Sequence, residues 1–116
     1  MQIKKTYVNV KPELLYDEVR DFVLKQGVIL GETKLEAYSL PHNSSSHVSR
    51  GTLTFNIHIK QNEVAKECAR VHIVGSATGE TKMLIDIDEA LFSREKISAL
   101  QADLDFTLGS YENQFH

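Results

Sequence analysis

The residues of this chain that could do chemistry are imidazoles and carboxylates placed two apart in alternating segments. Asn56 and His58 close one such segment, Arg70 and His72 sit in a second, and Asp86 and Asp88 in a third. Imidazole and carboxylate groups brought together could exchange protons with a substrate or hold a metal ion. Residues two apart on a strand share a face, so these six become neighbours only if their segments pair into a sheet.

The surrounding residues predict that sheet. Leu53, Phe55, Ile57 and Ile59 alternate with Thr52, Thr54, Asn56 and His58. Val71, Ile73 and Gly75 then alternate with Arg70, His72 and Val74, and Met83, Ile85 and Ile87 with Leu84, Asp86 and Asp88. Period-two patterning of this kind reads as three antiparallel strands between Arg50 and Asp88, with one oily face. Turns near Val64 and Gly79 would set Ile57 opposite Val71 and Phe55 opposite Ile73, then Ile73 opposite Ile85 and Val71 opposite Ile87. The same register aligns His58, Arg70 and Asp88 in one polar row, and Asn56, His72 and Asp86 in the next.

Such rows are best read as the solvated face of a two-layer sandwich. Opposite charges paired across exposed strands stabilise by under about 1 kcal/mol each, and a flat face lacks the concavity of a catalytic pocket. No catalytic residue and no metal ligand is therefore assigned. His42 and His47 fall in a serine-rich stretch without a Cys or carboxylate nearby in sequence, and read as solvated loop residues. Cys68 is in phase with Arg70 and His72, which puts it near the polar face as an inert small residue. Phosphate-binding glycine loop, nucleophile elbow and Cys-x-x-Cys pair are all missing from the sequence, so no enzyme activity and no cofactor is expected.

The outer segments supply two helices. Gln2 to Val10 reads as a strand, and Pro12 suits the first position of a helix whose buried stripe is Leu15, Val19, Phe22 and Val23, with Tyr16 at its edge. Gly27 is a left-handed stop. Val28 to Leu40 is a second strand with a bulge expected at Gly31, and Pro41 to Ser49 a mobile loop. Ser93 caps a last helix running to Tyr111, with Phe92 and Ile97 as a staple and Ile97, Leu100, Leu104, Leu108, Tyr111 and Phe115 along one side. Phe106 falls on the opposite side.

At 116 residues the chain is expected to form a single domain, 1–116, with 41% hydrophobic and 25% charged residues. A net charge of -3 with scattered Lys and Arg argues against nucleic acid as a partner. No segment has membrane-spanning length, Met1-Gln2-Ile3-Lys4-Lys5 lacks a signal-peptide core, and Cys68 is the only cysteine. A cytoplasmic location without membrane attachment is the expectation.

The order of elements predicts an α+β fold, a two-layer α/β sandwich of order β-α-β-β-β-β-α, its antiparallel sheet carrying both helices on one face. A ferredoxin-like sandwich would need a helix inside the strand run, and none is seen there. The order resembles the helix-grip or TBP-like arrangement that includes the START and Bet v 1-like superfamily. Val8-Asn9-Val10-Lys11-Pro12-Glu13-Leu14-Leu15-Tyr16-Asp17 is similar to the strand-to-helix entry of that superfamily. Full members carry two more strands and a second short helix, so this chain would be a reduced variant. The resemblance implies a binding module holding a small apolar molecule between sheet and last helix. Leu53, Phe55, Ile57, Val71, Ile73, Ile85 and Leu104 would line that gap. The alternative is an interaction module, a homodimer included, that docks through Phe106 with Ala99, Ala102 and Leu24.

Overall fold

The computed structural model describes residues 1–40, 43–58, 64–76 and 79–113, the side chains of 40 and 43–46 excepted. Strand β1 (Gln2–Val8) leads into helix α1 (Pro12–Leu24), then β2 (Ile29–Leu40), β3 (Asn43–Ile57), β4 (Lys66–Ser76) and β5 (Glu80–Ile87). Helix α2 (Arg94–Leu108) closes with a 3-10 turn, Gly109–Tyr111. The five strands form one antiparallel sheet in the order β1-β5-β4-β3-β2. The fold is thus the expected α+β sandwich, with both helices on one sheet face. β1 and β2 are neighbours in sequence but occupy opposite edges, so α1 must cross the sheet between them.

Local chemistry explains the helix ends. Asn9 adopts a left-handed backbone (φ 60°), which turns the chain out of β1, and Pro12 opens α1 where its missing N–H has no partner to lose. Gly27 ends that excursion at φ 85°, as its lack of a β-carbon allows. Ser93 Oγ accepts the Lys96 N–H at 3.3 Å and caps α2. On α1 the buried residues are Leu15, Tyr16, Val19 and Val23, with Phe22 at the margin. On α2 they are Ile97, Leu100, Leu104 and Leu108. These stripes and the inward residues of β1, β3, β4 and β5 share one apolar cluster.

Four expectations need correction. Most of the stretch expected as a loop, Asn43 to Ser49, is strand: β3 begins at Asn43, and backbone pairing such as Tyr38 with Val48 and Ser39 with His47 extends the β2–β3 hairpin, while Pro41 and His42 lie outside the described residues. A ladder needs only backbone groups, so serine content does not prevent it. Second, the strand registers differ. Val71 lies opposite Leu53, not Ile57, and opposite Ile85, not Ile87. Both slips are even-numbered, which preserves which face each residue occupies. Third, α2 ends at Leu108, and the tighter turn that follows swings Tyr111 off the stripe to 44% exposure. Phe115 lies outside the described residues. Fourth, Cys68 is buried. Phe55 pairs with Ala69 but Asn56 with Glu67, so Cys68 is the extra residue of a bulge and turns inward. A second irregularity, between Leu30 and Thr33, occurs where Gly31 suggested it.

Candidate functional site

The true registers redistribute the polar rows. Arg70 lies between Thr54 and Asp86, while His72 lies between Thr52 and Leu84, so His72 and Asp86 are not opposite each other. Arg70 is also held elsewhere, in a two-point contact with Glu67 at 2.8 and 3.2 Å. That pair, three residues apart, shares a face only because of the Cys68 bulge between them. Asp88 works as a turn residue, its Oδ1 accepting the Ala90 N–H at 3.0 Å. His58 lies just past the end of β3. Among the described residues no group of three or more His, Cys, Asp or Glu could hold a metal ion. His47 Nδ1 is 3.3 Å from Ser39 Oγ, and His42 lies outside the described residues. The Cys68 thiol donates to the Phe55 carbonyl at 3.4 Å, and burial pushes its pKa up, away from thiolate chemistry.

The seven residues expected to line a gap are packed in the core. Leu53, Phe55, Val71, Ile73, Ile85 and Leu104 are each at most 1% exposed, and Ile57 packs against them half-buried. Leu104 also borders a small cleft of about 220 Å³ with Lys5, Gln101 and Asp105, between β1 and α2. Phe106 stands 94% exposed on the outer side of α2, where the helical wheel put it.

A different constellation assembles on the open sheet face. In the β1–β5–β4 ladder Lys4 pairs with Leu84, which pairs with His72; one row along, Thr6 pairs with Lys82, which pairs with Val74, which pairs with Arg50 on β3. This part of the sheet carries a hollow of about 550 Å³ bordered by Lys4, Thr6, Arg50, His72, Lys82 and Leu84. Its floor is apolar, from the half-buried Val74 and Leu84, and its rim carries the cations of Lys4, Arg50 and Lys82. Of the carboxylates nearby, Glu36, opposite Arg50, is 2.8 Å from Lys34, Glu67 holds Arg70, Glu80 accepts from the Asn113 amide at 2.8 Å, and Asp86 lies opposite Arg70. Among the described residues, none of the three rim cations has an ion-pair partner. Positive charge therefore concentrates in one hollow of a chain whose net charge is -3.

Such an arrangement suits binding better than catalysis. A volume of this size matches small-molecule sites, and a concave surface of one charge sign focuses the field on an incoming anion. His72 contributes a ring nitrogen but faces no carboxylate across the ladder, so it lacks the orienting partner a general base uses.

Comparison with protein-family models, with curated proteins and with solved structures finds no match. Among the described residues no helix is long and apolar enough to cross a membrane.

Lys4, Arg50 and Lys82 escaped the sequence reading because they are far apart in the chain and looked scattered. Their parity was the available signal: each falls on the outward phase of its strand. Parity alone does not say how far along each strand the cations meet, and that distance is what makes the hollow.

Proposed function

We propose that this protein is a non-enzymatic binding module that takes a small amphipathic anion on the open face of its sheet. The reading is carried by the three uncompensated cations around the Val74–Leu84 floor. A carboxylate or similar anionic head would sit among Lys4, Arg50 and Lys82, its apolar body over Leu84 and Val74. Charge-assisted hydrogen bonds of this type stabilise by about 1.5–3 kcal/mol each when solvent is partly excluded. A purely apolar molecule between sheet and α2 is less well supported. To enter, it would have to displace side chains that are already close-packed and almost wholly buried.

Decanoate and decanol provide the test, because they share an apolar chain and differ in charge. Decanoate should shift amide resonances of Lys4, His72, Val74, Lys82 and Leu84, and bind at least about tenfold more tightly than decanol, a difference of about 1.4 kcal/mol. Lys82→Glu should abolish that preference. Equal binding of the two, with shifts at Leu53, Ile85 and Leu104, would instead favour the interior site. No binding of either up to about 1 mM would remove the small-amphipath reading.

A further inference from the structure

The two edges of the sheet are treated differently. Along β1 the chain after α2 closes the open side: the Asn113 N–H donates to the Thr6 carbonyl at 2.8 Å, Glu112 bridges to Tyr7, and Lys5 is 3.0 Å from Glu112. β2 pairs only with β3 among the described residues, and past its bulge it presents a regular edge from Thr33 to Ser39. That edge carries two large apolar side chains on opposite faces, Leu35 at 43% and Tyr38 at 48% exposure. An exposed edge of this length is a template for another strand.

We propose that the β2 edge is a self-complementary interface on which two copies of this chain pair antiparallel, Leu35 against Leu35 of the second copy. The charges select this register. A two-fold axis at Leu35 sets Lys34 opposite Glu36 of the second copy, and Glu36 opposite its Lys34. Thr33 then faces Ala37 on the helix side. Sliding one copy by two residues in one direction opposes Lys34 to Lys34 and Glu32 to Glu36. Sliding it the other way opposes Glu36 to Glu36. Like charges directly across a strand pair are destabilising, so both slips are disfavoured. The Lys34–Glu36 contacts within the copies, one in each at 2.8 Å, are exchanged for the same number between copies, so the charges set the register without adding ion pairs. The result is an isologous C2 dimer in which two five-stranded sheets become one. Because a strand-edge contact is smaller than a standard interface of about 800 Å² per partner, the dimer should be weak and reversible.

Sedimentation velocity on the whole chain between about 1 µM and 1 mM tests this. The wild type should pass from monomer to dimer in that range. Lys34→Glu and Glu36→Lys should each weaken self-association at least tenfold, since each opposes like charges twice. An equimolar mixture of the two variants should recover a dimer, now mixed, because the two lysines of one variant then face the two glutamates of the other. That rescue separates charge pairing from a general loss of structure. A wild type that stays monomeric at 1 mM, variants that dimerise unchanged, or a mixture that fails to recover would each overturn the proposal. Loss of the dimer in Phe106→Glu, with Glu36→Lys unaffected, would overturn it in favour of the α2 surface.

Discussion

Thr81 is fully buried, and its hydroxyl donates to the Val10 carbonyl at 2.6 Å, tying β5 to the entry of α1. Removing the donor while keeping the shape leaves that carbonyl without its partner away from water, which costs about 1–3 kcal/mol. Thr81→Val should lower the urea midpoint by the corresponding amount with an unchanged slope; an unchanged midpoint would mean that water replaces the hydroxyl. The inward phase of β5, carried back from Met83, lands on Thr81, so a polar residue in a core position was visible in the sequence. Its partner was not, because Val10 lies 71 residues away. Cys68 shows the opposite case: alternation pointed it outward, and one inserted residue in the β3–β4 ladder turned it in.

At the scale of elements, the alternation of apolar residues was enough to specify which face of β3, β4 and β5 is buried, and thereby the layer order. It could not specify register, because a slip of two or four residues leaves every side chain on its own face. Register is set by the length of the connections between strands, and residues 59–63 and 77–78 lie outside the described residues. The candidate site is not legible for the same reason: Lys4, Arg50 and Lys82 converge only in one register, and alternation does not assign β1 to β5. How closely α1 approaches the sheet depends on Gly51. A β-carbon there would lie 2.6 Å from Tyr16 Cδ2 and 3.1 Å from Cε2, so the ring of a buried residue must move. Gly51→Ala should destabilise by about 1–3 kcal/mol through this overpacking. Gly109→Ala, with nothing within 4 Å and an ordinary helical backbone, should be neutral or stabilise by up to about 1 kcal/mol. Equal effects of the two substitutions on thermal unfolding would show that the helix-to-sheet approach is looser than the Gly51–Tyr16 contact implies.

Across the whole molecule, stability should depend on pH through groups at two places in the sandwich. Glu13 on α1 accepts a hydrogen bond from the Ser49 hydroxyl on β3, which lowers its pKa from 4.5, with its own backbone N–H and Lys11 assisting. A carboxyl depressed in the folded state contributes stability that is present above pH 4.5 and lost as pH falls through its folded value. Glu13 is largely solvent-exposed, so this acid limb should be shallow. Tyr7 on β1 is different. It is 1% exposed, and burial, with the carboxylates of Glu112 and Asp105, pushes its phenol well above 10.0. A raised phenol contributes stability that is complete below pH 10.0 and is lost as the unfolded chain ionises above it. The loss approaches about 1.4 kcal/mol per pH unit for one proton. Cys68, raised by burial from 9.0, adds to the start of that limb. Urea unfolding across pH should therefore show a plateau that falls gently below 4.5 and steeply above 10. Tyr7→Phe should flatten the steep limb and Ser49→Ala the gentle one, each without moving the other. An alkaline limb unchanged in Tyr7→Phe would mean that the buried edge between β1 and α2 opens before the phenol ionises.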